Sequence, residues 1–436
     1  MLPLTAWTAV WFVILARHGG IAWVFFVKGS SLIFSGNYNG HNRPGFLHLY
    51  QSYPGLQIGP LAFAVAQVIR TIVPGQPVGP DQNVVLAQLI MSAIGLATLA
   101  VIRRIVLLAR PELARSQEFR WAFLAGGAVF LVAWQELAVA YGHLDDALAL
   151  LLAAVAVLTA WTGRPVLTGL AVGLAADAKP WALIFVPVLL LAGGSARWRA
   201  ADQAGRPIAA SLKSWFIAGL CLAAVVAAAW LPFFIADPHT IRALHYTIAN
   251  MPNSGLRAMG VNAARTPPWD RWVQLVVAWV LGLIVLARRR WPALLLVAAG
   301  ARIALDPGSH GYYTPGILAG ALLWDLLGSR RPQPVWTFLS FAALNLVPLI
   351  TTNEPARGDF RLGLVIAFTL AVVAWPAQLV WNPADPGGPG HSDRGGFAAP
   401  PDPIRTQPVR PDESTLVVGV PGHDVGQPAP AHRTAI

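Results

Sequence analysis

The chain of 436 residues has little charge: only 12% of its residues are Asp, Glu, Lys or Arg, against about 25% in ordinary soluble domains. Water is therefore not the main solvent of the fold. It has one cysteine, Cys221, set inside an apolar run. That excludes a disulfide framework and a thiolate metal site, and leaves Cys221 as a packing residue. No Walker loop, no Gly-rich dinucleotide motif and no strongly spaced Cys/His metal pattern occurs, so nucleotide use is disfavoured. No internal repeat of fixed period stands out. Acid is also missing locally, for residues 17–80 contain neither Asp nor Glu.

What is present is apolar. Hydrophobic residues make up 56% of the chain, and the mean hydropathy is +0.55. Apolar runs near the length that a hydrocarbon core of about 30 Å requires recur along it. In such a solvent a helix satisfies its own backbone polar groups, so the expected fold is all-α: a polytopic transmembrane bundle of about 10–13 helices. Spans are expected near 3–16, 83–106, 121–140, 146–162, 215–235, 271–287, 334–352 and 360–382. Shorter pieces at 166–178, 181–195, 291–305 and 312–328 should be tilted, broken or paired with polar loops. The first stretch, Leu2 to Ala16, lacks a basic flank and a small-residue cleavage site and reads as a retained helix.

The net charge of +11 does not describe a nucleic-acid surface, because the basic residues fall in short loops between apolar runs. They are Arg103, Arg104, Arg110, Arg115 and Arg120, then Arg197, Arg199, Arg206 and Lys213, then Arg288 to Arg290, then Arg330 and Arg331. By the positive-inside rule these loops are cytoplasmic. Counting 57–73 as a crossing would reverse them, so this segment is expected to lie in or dip into the outer interface. The domain then runs over 1–382, with long outer loops at 17–82 and 236–270 and smaller outer segments at 141–146, 177–181, 305–314 and 353–359. Residues 383–436, rich in Pro, Gly and Asp, are expected to be a disordered cytoplasmic tail. Trp134, Trp269, Trp272 and Trp381 fit interfacial anchoring.

Polar residues at membrane depth cost about 2.5–3.5 kcal/mol each on insertion scales, so their clustering is informative. The sharpest cluster is Tyr141-Gly142-His143-Leu144-Asp145-Asp146. The carboxylates could cap a helix N-terminus, or with His143 they could hold a divalent cation such as Mg or Mn. In Asp177-Ala178-Lys179-Pro180-Trp181, Pro180 breaks the helix and leaves Lys179 to meet an anion, to top a helix by snorkelling, or simply to balance Asp177. The first loop offers His41 and His48 as titratable groups in place of an acid. The loop 236–270 carries Asp237, His239, Arg242, His245, Tyr246, Arg257, Arg265 and Asp270. Farther on, Arg302 precedes Asp306-Pro307-Gly308-Ser309-His310-Gly311-Tyr312-Tyr313. Arg302 there either holds a phosphate or pairs with Asp306 one turn away.

Taken in order, these motifs resemble the GT-C class of membrane glycosyltransferases, especially the polyprenyl-phosphate-mannose-dependent type of actinobacteria. The likeness covers about residues 1–382. It rests on the first outer loop with its interfacial helix at Gly59-Pro60, the Gly142–Ala147 turn, the short helix pair from Gly169 to Lys179-Pro180, and His310-Gly311-Tyr312-Tyr313 before a late helix. The resemblance implies inverting transfer of a sugar, mannose by analogy, from a polyprenyl-phosphate donor to a cell-envelope glycan or glycolipid, at a site facing outward from the plasma membrane. It also implies Asp145 and Asp146 beside donor phosphate or metal and eligible as base, and Lys179, Arg302, His310, Tyr312, Tyr313 and His245 on the donor side. Such enzymes usually carry their base as an Asp in the first outer loop, where this chain reads Gly20-Ile21-Ala22-Trp23-Val24-Phe25-Phe26. A carrier or flippase for a lipid-linked sugar, suggested by the short Pro-interrupted helices, and an inactive scaffold of the same architecture, suggested by the missing acid, stand as the alternatives.

Overall fold

The computed structural model describes residues 1–38, 41–42, 45–72, 83–199 and 208–374. Helix is the dominant structure, as expected. The strand present among the described residues is a two-residue antiparallel ladder, Asn37–Tyr38 with His41–Asn42. The main helices are α1 (Leu2–Leu15), α2 (Trp23–Ser35), α3 (Pro60–Ile72), α4 (Val84–Ala109), α5 (Gln117–Gln135), α6 (Leu144–Trp161) and α7 (Pro165–Ala178). They are followed by α8 (Val188–Arg199), α9 (Ile208–Ala236), α10 (Asp270–Ala287), α11 (Leu294–Leu305), α12 (Thr314–Leu327), α13 (Val335–Phe341) and α14 (Glu354–Ala374). Among the described residues, five segments are long and apolar enough to cross a membrane by length and composition: Val84–Ala109, Gln117–Tyr141, Leu144–Trp161, Ser211–Ala236 and Asp270–Ala287.

The helices run alternately between two ends. At one end the basic loops meet: the Arg110 guanidinium donates to the carbonyls of Ser329 (3.0 Å) and Arg330 (3.0 Å). Arg288 reaches the carbonyl of Val373 at 2.6 Å, and Trp161 stacks on Trp291 with ring centroids 4.5 Å apart. At the other end Ala22 N–H donates to Tyr141 O (2.8 Å), Gly59 N–H to Ala178 O (3.0 Å) and Met251 N–H to Pro307 O (2.9 Å). Helix α3 belongs wholly to this second end. Its start is tied to Ala178 through Gly59, and the carbonyls of Ile69 and Arg70 accept from the Asn83 amide just before α4. Both termini of this short helix are thus tied at the same end of the bundle.

Two expectations need correction. The stretch 17–82 holds a second main helix besides the one expected at 57–73, for Trp23–Ser35 forms α2, with Trp23, Phe26, Val27 and Leu32 buried. At 13 residues, about 20 Å, it is too short to span and carries no spanning signature. Trp134 is no interfacial anchor: it is fully buried, and its indole N–H donates to Met91 O at 2.8 Å. The helix does not end near it, because α5 continues as a π turn over Glu136–Tyr141. Trp269 and Trp272 are exposed, while Trp381 and the expected tail 383–436 lie outside the described residues, as do residues 375–382 of the last expected span.

Burial sorts the helices by their surroundings. Every residue of α12 is buried. By contrast α9 exposes Phe216, Leu220, Leu231 and Ile235, and α10 exposes Trp272, Val276, Val280 and Leu283. Exposed apolar faces of this extent match lipid contact. Helix α9 packs on α7 and α8, α10 packs on α11 and the turn Pro180–Phe185, and the two scarcely meet each other.

Candidate functional site

The site assembles from four segments that are distant in sequence. The π turn ends at Gly142, whose φ of 75° is open to a residue without a side chain. That residue turns the chain into α6, so Asp145 and Asp146 occupy its first turn. Pro180 cannot continue α7, and Lys179 adopts extended backbone at the break before a 3-10 turn. The break is held against the first loop: a Cβ on Gly59 would lie 1.5 Å from the Asp177 carbonyl oxygen, so glycine is required at this close approach. Arg302 projects from the last turn of α11, and His310, Tyr312 and Tyr313 follow on the connection to α12.

Lys179 Nζ donates to Asp145 Oδ2 and lies 3.7 Å from Asp146 Oδ2. His143 Nδ1 stands 3.3 Å from Asp145 Oδ1 and 3.5 Å from Asp146 Oδ2. The Trp181 indole N–H donates to Asp146 Oδ1 at 2.9 Å, and Arg302 Nη1 lies 3.8 Å from the same oxygen. Arg302 also faces Asp306, with Nε 3.6 Å from Oδ2, while Asp306 Oδ1 accepts from Gly308 N–H at 2.7 Å. The Arg302 guanidinium sits between the Trp181 ring (3.9 Å) and the Tyr313 ring (4.3 Å). Tyr312 is stacked on one side by His143 (3.8 Å) and on the other by His310 (5.1 Å).

Asp145 and Asp146 are almost completely inaccessible. Each buried ion carries a desolvation cost of several kcal/mol, so a cluster of this kind persists only where the charges answer one another. Burial opposes the ammonium of Lys179, yet Asp145 and Asp146 outweigh it and hold the group above its ordinary range. Burial lifts the Asp306 carboxyl above the usual carboxylate range against the pull of Arg302. Burial also lowers the His310 imidazole despite Asp306.

Beside this cluster opens a cavity of about 730 Å³, bounded by Lys179, Trp181, Arg302 and the loop at 306–313 on one side and by Trp230 of α9, the 241–249 loop and Trp272 and Leu275 of α10 on the other. This is within the volume range of ligand pockets, roughly 300–1,000 Å³. Both α9 and α10 line the cavity, and both carry exposed apolar side chains. Arg271 anchors the roof by donating to the carbonyls of Leu244 (2.6 Å) and Tyr246.

The structure thus brings together Asp145, Asp146, His143, Lys179, Arg302, His310, Tyr312 and Tyr313. His245 lines the cavity and is exposed, its Nδ1 3.1 Å from Ile241 O. His48 stands apart: it is exposed, lies 3.8 Å from Asp237 Oδ2, and does not line the cavity. The side chain of His41 lies outside the described residues. The N-cap position of α6 is His143, whose side chain makes no capping bond; Asp145 and Asp146 lie in the first turn, where Asp145 Oδ1 accepts the Asp146 N–H, so the dipole reading and the charge cluster coexist. The Arg302–Asp306 pair exists, but Arg302 is shared with Asp146. His143, Asp145 and Asp146 offer three ligand atoms within 4.8 Å of one another. The Lys179 ammonium is bonded to Asp145 Oδ2, which leaves His143 Nδ1, Asp145 Oδ1 and Asp146 Oδ2 as the atoms that would hold a divalent ion beside a cation already in place.

Sequence reasoning missed the contribution of α10 to this chamber. Asp270, Arg271 and Gln274 all line it; the available signal was a carboxylate and an amide one turn apart at the start of an apolar helix. No family model, no curated protein and no solved structure matches the chain.

Proposed function

We propose that the protein is a membrane glycosyltransferase of GT-C type, transferring a sugar, mannose by the family resemblance, with inversion from a polyprenyl-phosphate donor to a cell-envelope glycan or glycolipid. The observation that carries this reading is the meeting of Lys179 and Arg302 with a buried acidic pair at the wall of a large chamber that the apolar helices α9 and α10 also line. On this reading the cytoplasmic side is the end with the basic loops, and the chamber faces outward.

The chemistry follows from charge. Breaking the sugar–phosphate bond leaves an anionic lipid phosphate, and cations fixed in a water-poor wall stabilise it more than mobile ones would. Arg302 Nε, 3.6 Å from Asp306 Oδ2, makes no hydrogen bond among the described residues, and a lysine has three N–H donors. Asp145 and Asp146 hold both cations in place rather than neutralising them for good. Trp181, Tyr312 and Tyr313 supply aromatic faces of the kind that flank a sugar ring. An isoprenoid chain would reach the chamber along α9 and α10, which line it and carry exposed apolar side chains. A Mg or Mn ion would sit beside Lys179, on His143, Asp145 and Asp146, and no step here is routed through a metal.

The test is transfer of radiolabelled sugar from polyprenyl-phosphate mannose to envelope glycolipid in proteoliposomes. The unaltered protein should form product, and Asp145→Ala with Asp146→Ala should not. Counterflow of label without product would instead identify a carrier, the reading that the broken helix at Lys179–Pro180 favours.

A further inference from the structure

Transfer to a hydroxyl needs a proton acceptor, and the first outer loop has no acid to serve. Asp145 and Asp146 are poor candidates, because neither lines the large chamber and both sit among Lys179, His143, Trp181 and Arg302; even Asp146 Oδ2, which makes no hydrogen bond, lies 3.5 Å from His143 Nδ1 and 3.7 Å from Lys179 Nζ. Two carboxylates line the large chamber, Asp306 and Asp270. Asp306 has both oxygens engaged, Oδ1 by Gly308 N–H and Oδ2 by Arg302. Asp270 differs. Only 1% of its surface is accessible, Oδ2 accepts from Gln274 Nε2 at 2.9 Å, and Oδ1 is buried with no hydrogen-bond partner in the protein.

A buried carboxylate oxygen left unpaired costs the desolvation of that atom, roughly 1–3 kcal/mol or more, and such an atom calls for a partner. The side chain is also fixed in place: Gln274 bridges Asp270 Oδ2 to the carbonyl of Leu305 (3.3 Å), the residue before Asp306. Its neighbour Arg271 ties the same helix start to the chamber roof. We propose that Asp270 is the catalytic base, its Oδ1 taking the proton of the acceptor hydroxyl. This rests on the glycosyltransferase reading above and adds to it the residue that the first loop lacks.

The step balances. The acceptor oxygen forms its bond to the anomeric carbon as its proton passes to Asp270 Oδ1. The bond from that carbon to the phosphate oxygen breaks, and its electron pair leaves with the lipid phosphate, beside Lys179 and Arg302. Gln274 acts as a positioning residue that keeps Oδ2 occupied and Oδ1 free.

The experiment compares Asp270→Asn with the unaltered protein in proteoliposomes. Removal of a general base is expected to lower the transfer rate at least about 100-fold, with donor KM changed less than about threefold. Azide, a nucleophile that needs no deprotonation, should restore donor turnover in Asp270→Asn and yield the glycosyl azide. Gln274→Met keeps the carboxylate and serves as a second variant should Asp270→Asn not accumulate; its loss should stay below about tenfold. Transfer by Asp270→Asn at the unaltered rate, loss of donor binding in it, failure of azide to restore turnover, or a loss in Gln274→Met as large as about 100-fold overturns the assignment. In each of these cases the unaltered protein still transfers sugar and the broader reading stands. If the unaltered protein forms no product, that reading fails and the role of Asp270 with it.

Discussion

The two ends of the bundle use arginine and lysine in opposite ways. At the basic end Arg103, Arg104, Arg115, Arg120, Arg164 and Arg288 are exposed, and those that fold inward, Arg110 and Arg290, donate to main-chain carbonyls, Arg110 also reaching the exposed Glu112. At the chamber end Lys179 and Arg302 are withdrawn from solvent and face carboxylates. Charge on the first surface sets how the chain sits in its membrane. Charge in the second place is costly unless matched, and the matching set is the candidate site.

This contrast can be broken most severely at Lys179. Lys179→Met leaves Asp145 and Asp146 facing each other in the interior and should cost about 3–5 kcal/mol of stability, read as a large fall in the thermal unfolding temperature in detergent, together with loss of transfer. Next comes Arg302→Lys, which keeps the charge but not the planar group between Trp181 and Tyr313. Transfer should drop about 100-fold, and a rate within a fewfold of the original would show that charge alone suffices there. Gly59→Ala forces the first loop away from the Asp177 carbonyl and should destabilise the fold by about 1–3 kcal/mol, with unfolding again the measure. The smallest effect belongs to the other end. Arg103→Ala with Arg104→Ala should change stability by less than about 0.5 kcal/mol and leave the transfer rate intact. In a Cys221→Ser background, Arg331→Cys and His239→Cys should label from opposite faces of sealed vesicles. Labelling from one face would undo the two-ended arrangement.

How much of this was legible in the sequence depends on what kind of signal each residue leaves. The long apolar runs located α4, α5, α6 and α10 to within a few residues, and α9 except for its first turns at 208–214, because length against hydrocarbon thickness is a strong constraint. Helix α2 was illegible as a helix, since Lys28, Gly29, Ser30 and Ser31 interrupt its apolar face and packing on α3 supplies what propensity does not. Asp145, Asp146, Lys179 and Arg302 stood out as charges in apolar surroundings. Asp270 did not, being one of several polar residues in 236–270, and only the folded chain shows that it alone of these acids faces the chamber. The π turn at 136–141, which lets α5 carry on past Trp134, left no trace in composition or periodicity.

The length of α9 bears on how such a reaction would be shielded. Its Trp230 lines the chamber together with Lys179, and the helix continues for more than a turn beyond, to Ala236. On the proposed reading the buried Asp145, Asp146 and Arg302 are a charged floor, with α9 in the chamber wall. A sugar drawn down to that floor sheds water on the way, and a reactive anomeric centre parked there is screened from hydrolysis until an acceptor hydroxyl follows it in.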